Sequence, residues 1–118
     1  MVLSLNTRKV DDVIIVDMHG RLTSGEPVLL LRSTVRRFAD DGGRKFILNL
    51  AEVSFIDSSG IGELITTFTS LRARQGDVKL LNLTKMAKDL LQMTKLLTVF
   101  DTYYDEAKAV QKLNQPGT

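Results

Sequence analysis

The sequence predicts an α/β fold in a single domain, with a mixed sheet of four to five strands and about four helices. Short apolar runs typical of strands alternate with longer segments in which apolar residues recur at helical spacing. The 118 residues, 43% of them apolar, suit one hydrophobic core, whereas two half-size domains would each be marginal. We therefore expect one unit over residues 1–118, with a frayed tail at 114–118.

Composition excludes several function classes. Sixteen basic and 14 acidic residues give a net charge of +2, which argues against direct nucleic-acid binding. The chain has no cysteine and one histidine, so thiolate chemistry is excluded and a metal site would lack its usual nitrogen ligands. No cofactor is predicted. Without a signal-peptide pattern or an apolar run near ~20 residues, we expect a cytoplasmic protein with no membrane insertion.

Two strands and a helix are predicted in the first third. Residues 2–8 alternate weakly, as in an edge strand, and Asp11 and Asp12 form a turn before a firmer strand from Val13 to about His19 and Gly20. His19 is interpreted as a surface or packing residue. In the following loop, Thr23 or Ser24 is predicted to cap a helix. That helix packs through Val28, Leu31, Val35 and Phe38, turns Arg32, Arg36 and Arg37 to solvent, and stops at Asp40–Gly43.

The middle of the chain holds the most apolar predicted strand. After it, the apolar residues change from a nearly continuous run to helical spacing. Lys45–Leu50 reads as a strand buried on both faces, and Val53, Phe55 and Ile56 continue its apolar surface. Helical spacing begins directly after Asp57-Ser58-Ser59. The apolar positions of this second helix are Ile61, Leu64, Ile65, Phe68 and Leu71.

The last third is predicted to hold two more strands and two more helices. A strand at Val78–Leu81 precedes a helix that opens at Leu83-Thr84 and buries Ala87, Leu90 and Leu91. A short strand is expected at Thr98–Phe100. Asp101-Thr102 is expected to cap a final helix, packed through Tyr103, Ala107 and Val110.

Asp57-Ser58-Ser59-Gly60 lies at the start of the second helix and admits three interpretations. The hydroxyls can simply cap the helix. A serine can be a hydrolytic nucleophile, although Gly-x-Ser-x-Gly is absent and His19 would have to be the base. Alternatively, a serine accepts a phosphoryl group from a partner enzyme, which adds a charge of roughly −1.5 to −2 and needs no catalytic group of the chain's own.

The stretch from Leu48 to Gly62, with Asp-Ser-Ser-Gly between an apolar strand and Ile-Gly, resembles the signature of STAS-domain anti-sigma factor antagonists. The resemblance extends over a core of about residues 10–110, including the Gly20-x-Leu22 turn, the strand from Val78 and the helix at Lys88–Met93. It implies a STAS domain that is a non-enzymatic binding module.

The resemblance also implies partner switching. Ser58 would be phosphorylated by an anti-sigma factor that is an ATP-binding serine kinase, and a serine phosphatase would reverse the modification. The unphosphorylated chain would bind that kinase and release its sigma factor. The partner-binding residues implied are Asp57, Ser58, Ser59, Gly60, Ile61, Gly62, Arg21 and Thr23. Within this set Asp57 shapes the turn, Gly60 and Gly62 permit close approach, and Ser59 is a cap or neighbour.

The sequence departs from the family pattern at two places, of which the first bears on the partner and the second on the loop after the third helix. Gly20-Arg21-Leu22-Thr23 stands where many members have an acidic Gly-Glu-Leu-Asp turn, which removes two carboxylates. Thr94-Lys95 replaces the small residue and glycine usual after the third helix.

Two other functions remain open. One is a STAS scaffold or accessory subunit, in a stress-signalling assembly or a lipid-transport ATPase complex. The other is direct binding of a purine nucleotide, although no glycine-rich phosphate loop with a lysine is present.

Overall fold

A computed structural model describes residues 2–115, which form a five-stranded sheet and four helices. The strands lie in the order β1-β2-β3-β4-β5; β1 is antiparallel to β2, and the others are parallel. The predicted mixed α/β sheet is therefore confirmed. The elements are β1 (Ser4–Val10), β2 (Val13–Leu22), α1 (Glu26–Asp40), β3 (Lys45–Ile56), α2 (Ser58–Ala73), β4 (Asp77–Leu81), α3 (Lys85–Met93), β5 (Thr102–Tyr103) and α4 (Glu106–Asn114).

The helices cover both faces of the sheet. Helices α1, α2 and α3 pack on one face around a cluster that includes Leu31, Phe46 and Leu64. Helix α4 packs on the other face, where Val110 meets Ile15 and Ile47. Because both faces are covered, the central strands are apolar on both sides, as the sequence of β3 predicts.

Strands β2 and β3 extend beyond the rest of the sheet at its carboxyl end. Strand β4 ends level with Asn49, but β3 continues for seven residues, paired with β2 as far as Leu22 and Ile56. The Asn49 side chain lies where β4 stops, donating to Asp17 and accepting from the backbone of Ala51 and from Asn82. The side-chain amide thus supplies hydrogen bonds at the point where β4 no longer pairs with β3.

Several predicted boundaries and caps are wrong. Strand β2 runs two residues past Gly20, and α1 begins after Gly25, whose φ of 90° suits glycine. Neither Thr23 nor Ser24 caps α1 with its side chain. Instead the Thr23 carbonyl accepts from Val28 N, and the Ser24 N–H is engaged elsewhere.

The prediction for the carboxyl-terminal third is also partly wrong. Thr98–Phe100 lies in a turn, and the last strand, β5, is Thr102–Tyr103. The cap of α4 is Asp105, which accepts from Lys108 N, so Asp101 and Thr102 do not cap it. Ala107 is exposed, whereas Ala109, Val110 and Leu113 face the core. The predicted tail begins inside α4 at Asn114, and residues 116–118 lie outside the described residues.

The side chain of Arg32 and the backbone of Lys95 each have a structural role. Arg32, expected to face solvent, donates to Glu63 of α2 from Nη2 at 2.8 Å, and the Glu63 side chain is only 1% exposed. Lys95 follows α3 with a φ of 61°, so it occupies the left-handed position where a glycine is usual.

Arg8 links three elements on the side of α4. Its Nε donates to Asp17 Oδ2 of β2 at 2.7 Å, and its Nη1 donates to Glu106 Oε2 in the first turn of α4 at 2.9 Å. The hydrogen bonds from Arg8 lower the pKa of Asp17 and that of Glu106. The guanidinium thus joins β1, β2 and α4 through two carboxylates that stay ionised.

This network should make stability acid-sensitive. Because the pKa of each carboxyl is lower in the folded chain than in the unfolded one, its contribution is complete above about pH 4 and is lost as the pH falls below that value. We expect Glu106→Gln to lower the free energy of unfolding by about 0.5–1 kcal/mol near neutral pH, since the pair is partly solvated. In urea denaturation, this difference should shrink as the solution is acidified. Glu52→Gln, which removes an exposed carboxylate from β3, is the control. A Glu106→Gln difference that does not depend on pH would contradict the assignment.

Candidate functional site

The start of α2 is organised by the carboxylate of Asp57. Asp57 is the N-cap residue, and its Oδ1 accepts from Gly60 N at 2.8 Å. Its Oδ2 accepts from Ser24 N at 3.1 Å, in the loop between β2 and α1. Its own N–H donates to Leu22 O at 3.3 Å. One residue thus joins the ends of β2 and β3 to the start of the helix.

These contacts stabilise the ionised form of Asp57. The N–H of Gly60, and then that of Ser24, donate to the carboxylate and lower its pKa. The charge also lies at the positive end of the helix dipole. Asp57 therefore carries a negative charge at neutral pH.

The two serines are exposed and do not supply the cap. The interpretation in which their hydroxyls cap the helix is wrong, because the carboxylate of Asp57 makes that bond. For the same reason Ser59 is not a cap. Ser58 is the first residue of α2, and its side chain is open to solvent. Modification of its hydroxyl would not break the cap.

A hydrolytic role for Ser58 is not supported by the position of the histidine. His19 lies three residues before Leu22, whose register partner Ile56 comes directly before Asp57. At ~3.3 Å per residue, His19 lies about 10 Å back along β2 from the helix start. A general base has to be within roughly 3 Å of the hydroxyl that it activates.

Two of the predicted partner-contact residues point into the protein. Gly60 is buried, and a Cβ built on it would lie 2.7 Å from Ile56 Cγ2 and would also clash with Leu22 O. Ile61 is 7% exposed and belongs to the core. Both residues hold the helix start against the sheet and do not offer a surface. Gly62 is exposed, and apart from its chain neighbours and the backbone of its own helix no atom lies within 4 Å of its built Cβ.

Arg21 and Phe55 form an exposed pair beside the helix start. The Arg21 guanidinium carbon lies 4.5 Å from the centre of the Phe55 ring, in cation–π geometry. The Phe55 side chain is 40% exposed, so the prediction that it continues the core is wrong. Thr23 is half-buried next to this pair.

The exposure of Phe55 has a clear structural cause. Strand pairing runs from Gly20↔Val53 directly to Arg21↔Phe55, so Ser54 is an extra residue on β3. One extra residue moves the following side chains to the opposite face. Phe55 therefore faces outwards, and Ile56 faces the core. A first irregularity in the pairing, between Asp17 and His19, lies earlier in the two strands. Counted at a constant period of two from the buried Val53, Phe55 would share its core face, and the extra residue reverses this.

Within residues 2–115, no helix is long and apolar enough to cross a membrane. In the same residues, no group of three or more His, Asp or Glu side chains is arranged to hold a metal ion.

Comparison with known proteins gives a family match over most of the chain. Residues 4–109 match the sequence profile of the STAS domain. BtrV of Bordetella bronchiseptica, described as an anti-sigma factor antagonist, is 24% identical over 98 residues, which cover 83% of this chain and 84% of BtrV.

Solved structures show the same fold. A Thermotoga maritima protein, TM1081, superposes with a TM-score of 0.86 at 24% identity, covering 94% of this chain and 95% of that one. The phosphorylated form of SpoIIAA from Bacillus superposes with a TM-score of 0.74 at 22% identity, covering 94% of this chain and all of that one. TM1081 is described as an anti-sigma factor antagonist, and SpoIIAA as a cell-fate determinant.

The two glycines of α2 should respond in opposite ways to the same substitution. Gly60→Ala forces a methyl group against Leu22 and Ile56, so we expect it to lower the free energy of unfolding by about 1–3 kcal/mol. Gly62→Ala adds a methyl group in open space within a helix, and should raise stability by roughly 0.5–1 kcal/mol. Urea denaturation of both variants measures the contrast. A Gly60→Ala protein as stable as the parent would contradict the close approach described above.

Proposed function

The chain belongs to the STAS domain family, and we propose that it is an anti-sigma factor antagonist controlled by phosphorylation of Ser58. The observation that carries this proposal is that the residue that caps α2 is different from the residue that offers an exposed hydroxyl. Asp57 makes the cap, while the Ser58 hydroxyl is exposed at the first helical position. A serine in this position can be modified by an enzyme without loss of the local fold.

The proposed partner is an anti-sigma factor that is also an ATP-binding serine kinase. The unphosphorylated chain binds this kinase and thereby releases its sigma factor. Phosphorylation of Ser58 ends the complex, and a serine phosphatase restores the binding form. BtrV and TM1081, both described as anti-sigma factor antagonists, support this assignment. The chain itself acts as a binding protein, and the kinase supplies the catalysis.

Electrostatics gives the direction of the switch. A phosphoryl group on Ser58 adds a charge of roughly −1.5 to −2 next to the ionised carboxylate of Asp57. The helix dipole favours that charge by only ~0.3–1 kcal/mol, and it does so equally in the free chain. Burying the two neighbouring negative groups in an interface carries a desolvation penalty that grows with the added charge. Phosphorylation therefore disfavours the complex.

The proposed docking surface consists of Arg21, Phe55, Ser58 and Ser59, which are all exposed. Phe55 and Ser58 are three residues apart, so their Cα atoms lie within about 11 Å of each other. That span fits easily inside an interface of ~800 Å² per partner. Arginine and aromatic side chains supply much of the binding energy in interfaces, and here they already stack on each other. Thr23 lies at the margin of this surface, and Gly62 adds open backbone on α2.

The first test is direct mapping of the phosphoryl group. We expect incubation with ATP and a serine-kinase anti-sigma factor of the same organism to add one phosphoryl group, located on Ser58 by peptide mass spectrometry. Ser58→Ala should abolish the modification, and Ser59→Ala, one residue away and equally exposed, should retain it. Phosphate on Ser59, or an unchanged rate in Ser58→Ala, would contradict the proposal. If no phosphate is added and the chain is recovered in a large assembly or with a membrane ATPase, the scaffold function is favoured instead.

Phe55 should be an anchor for the partner. We expect Phe55→Ala to weaken binding of the unphosphorylated chain to the kinase roughly tenfold or more, measured by calorimetry, because it removes a partly exposed aromatic ring that a partner can cover. Ser58→Asp should weaken binding in the same assay. The matched control is Met93→Ala. Met93 is 80% exposed but ends α3, which runs back from the carboxyl end of the sheet, so it lies on the far side from Ser58. Equal losses in the Phe55 and Met93 variants would contradict this docking surface.

A further inference from the structure

Leu29 is a large apolar side chain of α1 that lies in contact with solvent. It is 56% exposed, more than any other large apolar residue of this helix. A single exposed leucine is common on protein surfaces and has no meaning by itself. What matters is its position, next to the start of α2.

The first turns of α1 and α2 lie at the same level. Asp57 caps α2, and its Oδ2 also accepts from the N–H of Ser24 at 3.1 Å, two residues before α1 begins. Both helices connect parallel strands, so both run back from the carboxyl end of the sheet and are parallel to each other. Leu29 is the fourth residue of α1, and Gly62 is the fifth residue of α2. These two residues therefore lie at nearly the same height along the two helices.

Leu29 lies on the side of α1 that borders α2. Arg36, seven residues later and thus on the same stripe of the helix, lines the small cavity between α1 and α2. Arg32, one turn after Leu29, donates to Glu63 of α2. The side chain of Leu29 is therefore directed towards the boundary between the two helices.

Ser59 lies on the side of α2 that borders α1. Glu63, one turn after Ser59, accepts from Arg32, and Thr66, two turns after it, lines the same cavity. The axes of packed helices are about 8–10 Å apart. Leu29 therefore lies roughly one helix diameter from Ser59, the neighbour of the proposed phosphorylation site.

The surface between Leu29 and α2 is open and has few charges. Gly62 is exposed, and apart from its chain neighbours and the backbone of its own helix no atom lies within 4 Å of its built Cβ. Arg32 is paired with Glu63 at 2.8 Å. Glu26, one turn before Leu29, is exposed at the outer margin. An apolar side chain of a partner can thus contact Leu29 without burying an unpaired charge.

A kinase that modifies Ser58 has to cover the first turn of α2. A standard interface buries ~800 Å² on each partner, which corresponds to a patch roughly 30 Å across. A patch of this size around Ser58 includes Leu29. Covering the leucine removes apolar surface from water and so favours the complex.

We propose that the partner kinase also contacts Leu29, with an apolar side chain of its own over Gly62, so that the docking surface spans both α1 and α2. The occupant is the kinase that modifies Ser58, so this inference rests on the proposed function. Leu29 is uncharged and lies apart from the reacting hydroxyl. Its contact is therefore equally favourable in the ground state and in the transition state of phosphoryl transfer, and its loss raises KM without lowering kcat.

The test combines calorimetry with phosphorylation kinetics, using the serine-kinase anti-sigma factor of the same organism. We expect Leu29→Ala to weaken binding of the unphosphorylated chain about fivefold or more, and to raise KM with kcat unchanged. The matched control is Leu30→Ala. Leu30 is 38% exposed and lies about 100° further round the helix, away from α2, so its truncation should change the affinity less than about twofold.

A second substitution separates a covered leucine from one at the edge of the complex. Leu29→Lys should weaken binding more than Leu29→Ala, because the added charge would be buried against an apolar side chain of the kinase. Circular dichroism and urea denaturation should show that all three variants keep the fold and nearly the stability of the parent, since the positions are exposed.

The outcomes separate this inference from the proposed function. Normal affinity in Leu29→Ala, or an equal loss in Leu30→Ala, would overturn the inference, and the proposed function would stand if Phe55→Ala still weakens binding. A lower kcat at unchanged KM in Leu29→Ala would also overturn it. If the parent binds no such kinase, the proposed function fails, and this inference fails with it.

Discussion

The carboxylate of Asp57 is the interaction on which the functional end of the protein depends. It bonds to the first turn of α2 and to the loop before α1, so two crossover connections are fixed by one side chain. Gly60 completes this arrangement, because only a residue without a Cβ allows α2 to approach Leu22 so closely. Because Asp57 already accepts the hydrogen bond that caps α2, the Ser58 hydroxyl is not needed to hold the helix start. A side chain that the fold does not need is free to be chemically altered.

The order of strands and helices could be predicted from sequence because both faces of the sheet are covered. Long apolar runs such as Phe46–Leu50 and sustained helical spacing are dictated by burial, which leaves a strong signal. The candidate site could be predicted for a related reason, because a polar turn between a buried strand and an amphipathic helix interrupts the apolar pattern. Caps were less predictable. Thr23 and Ser24 have side chains suited to cap α1, but Gly25 is the N-cap residue of that helix, and the backbone N–H of Ser24 donates to Asp57.

What sequence reasoning missed depends on contacts between distant segments. At a constant period of two, Phe55 would share a face with the buried Val53, and the extra residue Ser54, which is seen once β3 is paired with β2, turns it outwards. The burial of Glu63 and Thr67 had a weak signal, since both fall at helical spacing with Gly60 and Leu71. A glutamate at such a position would normally be predicted to face solvent. Its burial is explained only by Arg32 of α1, which lies opposite and pairs with its carboxylate. The two-residue β5 is too short to leave any periodic pattern.

The short β5 strand also restricts how other proteins can join the sheet. An incoming strand needs a row of free N–H and C=O groups, and an edge of two residues provides almost none. The opposite edge, β1, offers a longer row, but its exposed side chains are polar or charged (Ser4, Asn6 and Lys9), and such residues oppose pairing with another strand. Addition of a strand from another protein is thus disfavoured at both edges of the sheet. Recognition is left to side chains and loops, where a single added charge can decide the outcome.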